Sequence, residues 1–307
     1  MNDPNATRLL SVGEIFDRAV HVVLRNFLQL TLAYGIFNIP FVALQDWIQR
    51  SAQARFDLAL GTVVANPRLI SQFFRLSQDP TKKSLASDWI FIALGLAVSV
   101  LAACLVANLT ERILRGERPA AVQVIPKSLR VLYRLVAQQF AIVFIAFLIF
   151  IVIVIIWALP ALMWPAARSP AVLTAAISLS AALLFCALEA WGYCAFGAVA
   201  LDDSGVVRAM RTGWRMTMTK AAVSRSFVFG FGILAFDVLA VIFSFALAGF
   251  AVDVTHQVVV ARVLEVLLGV AIATFVNVAG TIFYLDANAR YSAIQDAAQN
   301  RENSAAR

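Results

Sequence analysis

The residues with most bearing on chemistry are two acids that stand where acids are costly. Glu189 lies about a dozen residues before Asp202 in one long apolar run, and Asp237 about a dozen after Arg225 in the next. On helices rising about 1.5 Å per residue, both reach the middle of a bilayer. A carboxylate there costs roughly 2.5–3.5 kcal/mol on insertion scales, so it faces a bundle interior and either finds a partner or stays protonated. Two readings follow. One is a shared-proton or cation site between neighbouring helices, coupled to movement of a substrate. The other is a structural hydrogen bond to Asn277, Tyr193 or a backbone carbonyl, worth about 1 kcal/mol in membrane bundles. Other chemistries lack their residues. His21 and His256, the two histidines of the chain, are predicted on opposite membrane faces and away from any carboxylate cluster. Metal-assisted phosphodiester hydrolysis therefore has no ligand set. No glycine-rich phosphate loop, H-E-x-x-H pair or Cys/His set with zinc spacing occurs. The expectation is a protein that is not an enzyme, with no catalytic residue, metal or cofactor.

The elements that carry these acids are legible from hydropathy. The stretch FAIVFIAFLIFIVIVIIWALPALMW, Phe140 to Trp164, has no charged side chain. As a helix it spans about 37 Å, more than the roughly 30 Å hydrocarbon slab requires. Its β-branched centre, Ile151 to Ile156, is compatible with a strand, but buried strands stop at about four to eight residues and this run does not. Hydrophobic residues make up 61% of the chain and charged ones 14%, with a mean hydropathy of +0.82. That apolar surplus exceeds what one water-soluble core hides. Five further spans are predicted at about Phe27 to Trp47, Trp89 to Leu109, Val172 to Leu201, Phe227 to Val252 and Val258 to Leu285. No removable signal peptide is apparent in MNDPNATRLLSVGEIFDRAV. Cys104, Cys186 and Cys194 fall inside spans, as small apolar fillers rather than a disulfide framework.

The formal charge of +7 and pI near 9.8 do not point to nucleic acid, because the basic residues lie in short segments beside apolar runs. Anionic lipid headgroups are the expected counter-charge. Arg18, His21 and Arg25 are spaced three then four apart; so are Lys127, Arg130 and Arg134, and Arg208, Arg211 and Arg215. On a helix this lays a basic stripe beside an apolar one, so that cations snorkel while the apolar face dips into the interface. Each stripe precedes a pair of spans, and the second spans end alike at Glu111, Asp202 and Asp286, where a carboxylate is placed to meet the next basic stripe. The pattern predicts three units, roughly 10–111, 120–202 and 204–291, each an amphipathic in-plane helix plus a two-span hairpin, in a single membrane domain of residues 1–307 with a polar tail over 292–307. Segments assigned to the cytoplasm hold 17 Lys and Arg against 8 outside, which places both termini in the cytoplasm. Arg50 to Asp88 forms the longest polar connection, with a short surface helix expected at Ile70, Phe73, Phe74 and Leu76. Near the outer end of the sixth span, Arg262 and Glu265 are spaced to pair with each other.

The same residues carry a family resemblance. LSVGEIFDRA at 10–19, RNF at 25–27, AMRTGWR at 209–215 and FYLD at 283–286 resemble the membrane-domain family named after glycerophosphoryl diester phosphodiesterases. The resemblance implies a six-helix integral protein of the bacterial cytoplasmic membrane in which this domain stands alone, without the hydrolase. The fold class expected is therefore an all-α, polytopic membrane bundle of six transmembrane helices. The leading functional expectation is a scaffold or accessory membrane subunit without a catalytic site. Arg18, Arg25, Lys127, Arg130, Arg134, Arg208, Arg211 and Arg215 would touch lipid headgroups, and a membrane-protein partner is a further expectation. The alternative is a transporter or lipid-handling protein using an intramembrane polar site of Glu189, Asp237 and Asn277.

Overall fold

A computed structural model of the chain describes residues 10–44, 83–163, 170–220, 222–255 and 258–305, and among them every regular element is helical. In chain order these are α1 (Val12–Arg25), α2 (Phe27–Leu44), α3 (Lys83–Leu114), α4 (Ala121–Met163), α5 (Pro170–Ala200), α6 (Val206–Thr217), α7 (Val223–Thr255) and α8 (Val258–Ala305). Six of them, all but α1 and α6, are long and apolar enough to cross a membrane. The protein is an all-α polytopic membrane bundle. The β-branched run Ile151 to Ile156 lies within α4, whose length overrides local strand propensity. Phe144, Phe147, Val152, Ile155 and Ile156 point away from the bundle. Lipid tails are as apolar as these side chains, so the outward face carries no solvation penalty.

Burial concentrates at the end of the bundle that carries α1 and α6. A capping box starts α1: Ser11 Oγ accepts from the Glu14 amide at 3.3 Å, and Glu14 Oε2 accepts from the Ser11 amide at 2.6 Å. The helix then buries Ile15, Ala19, Val22 and Val23 and packs mainly against α8. On α6, Ala209 and Gly213 face α5, so closely that a Cβ on Gly213 would lie 2.8 Å from the Ala195 backbone nitrogen. Trp191 Nε1 donates to the Met210 carbonyl at 2.9 Å, which fixes α6 on α5 from the other side.

The contact between α5 and α8 is built from two glycines and two tyrosines. Tyr284 lies over Gly197 and Tyr193 lies over Gly280, so that a Cβ on either glycine would run into the ring opposite. Both helices advance by four residues between these contacts in the same direction, so the fourth and sixth spans run parallel. Small residues permit this approach, and lipid supplies no hydrophobic force to substitute for it.

The three basic segments take different forms. The first and third give the separate helices α1 and α6, ended at Asn26 (φ −125°) and Met218 (φ −104°). The second is continuous with its span, because LVAQQF between Arg134 and Ala141 holds no glycine or proline to break α4. The third stops at Thr217, which leaves Arg225 in the first turn of α7. The polar segment from residue 292 continues α8 as helix to Ala305. The expected surface helix at Ile70 to Leu76, Trp164, Arg168, His256 and the side chain of Arg262, and with it the expected pair with Glu265, lie outside the described residues.

Candidate functional site

Charge is buried at the α1 end of the spans. Arg225 from α7 pairs with Asp286 of α8, whose other oxygen accepts from the Leu10 amide at 2.7 Å. Arg290, one turn further along α8, bonds Asp286 Oδ2 at 2.7 Å and donates to the Leu10 carbonyl at 2.8 Å. Only 5% of the Asp286 side chain and 16% of the Arg225 side chain are exposed. The cluster clamps the start of α1 onto two spans at once. Beside it, Tyr284 donates to Asp202, Lys127 Nζ to the Leu201 carbonyl at 3.0 Å, and Arg134 to both the carbonyl (3.0 Å) and Oδ1 (2.6 Å) of Asp203. Asp203 holds a positive φ of 54° there, a conformation that Asp tolerates. The span-end carboxylates were expected to meet the next basic stripe. Instead Asp286 meets Arg225 of its own unit, Asp202 meets a tyrosine, and Glu111 pairs with Arg115 on its own helix. For Glu111, a cation four residues along its own helix is nearer than the next unit.

An aromatic column leads inward from this cluster. The Arg225 guanidinium sits 5.1 Å over the Phe283 ring, Phe283 stacks on Phe229 at 4.0 Å, and Phe229 meets Tyr193 edge-on at 6.0 Å. Phe16 of α1 stacks on the same Phe229 at 5.6 Å. The column ends at a partly open cavity of about 400 Å³ lined by five helices. Tyr34 comes from α2, Ser99 from α3, Gln139 from α4, Glu189 and Tyr193 from α5, and Asn277 from α8; Ile142, Phe185, Leu188 and Phe196 supply much of the apolar wall. Asn277 precedes Asp286 by nine residues, which places the cavity about 13 Å from the buried cluster along α8.

Of the three residues expected to form an intramembrane polar site, Glu189 and Asn277 open onto this cavity. Asp237, on α7, is not among the described lining, although it lies close enough to Glu189 for the two charges to interact. The Asn277 amide donates to the Ala273 carbonyl at 2.7 Å, within its own helix. No hydrogen bond or ion pair holds the Glu189 carboxyl among the described residues. Of the eight cations expected at headgroups, Arg18, Arg25, Arg130, Arg208, Arg211 and Arg215 are exposed, whereas Lys127 and Arg134 bond the turn after α5. Val20, Leu24, Val207 and Trp214, the apolar neighbours of the exposed stripes on α1 and α6, are exposed too. Sequence reasoning missed Tyr34, Ser99 and Gln139, ordinary polar residues that only packing brings together. It also missed the Asp286 cluster, whose available signal was the four-residue spacing of Asp286 and Arg290.

The leading expectation, a scaffold or accessory membrane subunit, is corrected by this geometry. A buried carboxylate, a largely buried guanidinium group and a second, partly exposed one meet where spanning helices come together, and groups of that kind within a membrane mark pathways and sites. No group of three His, Cys, Asp or Glu side chains among the described residues is placed to hold a metal. No protein-family profile, curated protein or solved structure matches the chain. What the fold defines is a class, the six-span helical membrane protein.

Proposed function

We propose that this protein is a transporter or lipid-handling protein whose ligand occupies the mid-membrane cavity at Glu189. The observation that carries the reading is a carboxyl with no bonded partner among the described residues, on the wall of a cavity between five helices. A structural acid would be held by a donor; a functional one is left facing the space it serves. The buried Asp286 cluster and the aromatic column supply a closed, charge-locked end beneath that cavity. The action proposed is binding and movement, not bond making.

The same proposal includes the setting. Both termini lie in the cytoplasm of a bacterial inner-membrane protein, on the positive-inside asymmetry. The exposed arginines of α1 and α6 contact anionic headgroups, supported by their apolar exposed neighbours. Affiliation with the membrane-domain family named after glycerophosphoryl diester phosphodiesterases rests on the short motifs quoted above. Phe16, Gly213 and FYLD at 283–286, which belong to them, lie at the same end of the bundle.

The test is native mass spectrometry of the full chain released from its membrane. Wild type should carry a bound small molecule that Ala103→Trp, which fills the cavity, excludes while remaining folded. A bound species that survives Ala103→Trp, or none in wild type purified from its own membrane, would contradict the reading.

A further inference from the structure

Granting that the cavity at Glu189 is a ligand site, we propose that it takes a lipophilic organic cation. Three features of the wall converge on that class. Glu189 is its only acidic or basic side chain among the described residues, with no Lys, Arg or His to attract an anion. Asp237, on α7 and off the described wall, is a second acid whose charge reaches Glu189. An unpartnered carboxyl in a medium of low dielectric ionises against a counter-charge, and the described wall supplies none, so a bound cation is the group that would complete it.

The rest of the wall selects among cations. Tyr34, Phe185, Tyr193 and Phe196 put four aromatic rings on it, and ring faces attract ammonium and phosphonium groups within about 6 Å of their centroids. The lining is predominantly carbon, which suits a ligand with an apolar body. A bare metal cation needs six or so oxygen ligands in place of its water, and one carboxyl among aromatic and aliphatic walls does not provide them. The cavity volume of about 400 Å³ lies within the range of sites for small organic molecules.

The experiment uses two ions of nearly the same shape and opposite charge, tetraphenylphosphonium and tetraphenylborate, with the purified full chain in detergent and equilibrium dialysis as the readout. Tetraphenylphosphonium should bind saturably, tetraphenylborate should not compete, and Glu189→Gln should weaken the cation at least about tenfold at an unchanged melting temperature. Ala103→Trp leaves Glu189 in place but occludes the cavity, and it must abolish the same binding even if Glu189→Gln fails to fold. Equal affinity in Glu189→Gln, competition by tetraphenylborate, absence of saturable cation binding, or binding that survives Ala103→Trp would each overturn the cation assignment. The cavity reading fails separately, when the native species is indifferent to Ala103→Trp. A native ligand excluded by that variant, in a protein that ignores tetraphenylphosphonium, would leave a ligand cavity of another chemical class.

Discussion

Glu189 on α5 and Asp237 on α7 stand near enough for their charges to interact, yet of the two only Glu189 is on the described cavity wall. The pair should therefore respond unequally to neutralisation. Glu189→Gln removes the group that a ligand touches, whereas Asp237→Asn removes a contribution weakened by distance. Affinity for tetraphenylphosphonium is expected to fall at least about tenfold in the first and to change by less than about threefold in the second. Dialysis on matched samples checks this, and the reverse order would move the binding group to α7.

The buried cluster at the α1 end makes a different prediction. Asp286→Ala leaves Arg225 and Arg290 without their shared carboxylate and removes the acceptor of the Leu10 amide. Stranding buried charge typically costs about 3–5 kcal/mol. Unfolding by denaturant in mixed micelles should report a loss of that size. Arg225→Ala added to Asp286→Ala should cost clearly less than the two separate losses together. Strict additivity would mean that the two side chains do not act as a pair.

Helix approach is testable at the glycines. Gly197→Ala and Gly280→Ala each force a methyl group into a tyrosine ring, an overpacking that costs about 1–3 kcal/mol. Gly269→Ala meets nothing within 4 Å and should be neutral, or stabilising by up to about 1 kcal/mol through helix propensity. Melting temperatures of the three variants should separate accordingly. A destabilising Gly269→Ala alongside a silent Gly197→Ala would place the close contact elsewhere.

The headgroup role of α6 predicts a salt effect. Arg208, Arg211 and Arg215 are exposed beside Val207 and Trp214, so anionic phosphatidylglycerol should raise the melting temperature of wild type more than that of the triple glutamine variant. The difference should vanish near 1 M salt, where the Debye length is about 3 Å. A difference that persists at high salt would indicate packing rather than charge.

Spans were legible because hydropathy is a local property: a run such as Phe140 to Trp164 declares its solvent without reference to any other part of the chain. Glu189 was legible for the same reason, as an acid that its own helix cannot explain. The cavity was not, since Tyr34, Ser99, Gln139 and Asn277 become neighbours only when five helices pack. Arg225 follows the stripe of Arg208, Arg211 and Arg215 in the chain, but α6 ends at Thr217 and Arg225 falls on a span, paired with Asp286, which nothing local in the sequence announces. The scaffold reading fell at that point, since it treated the cations as surface groups alone.

The most direct test of Glu189 as a functional rather than a structural acid is Glu189→Met, which keeps side-chain length and removes the carboxyl, with melting temperature and bound-ligand occupancy measured on one preparation. An acid retained for function at the expense of stability predicts a gain of about 1–3 kcal/mol together with loss of the bound species. A lower melting temperature, with occupancy falling only as folded protein is lost, would contradict the account and return Glu189 to a bond within the bundle.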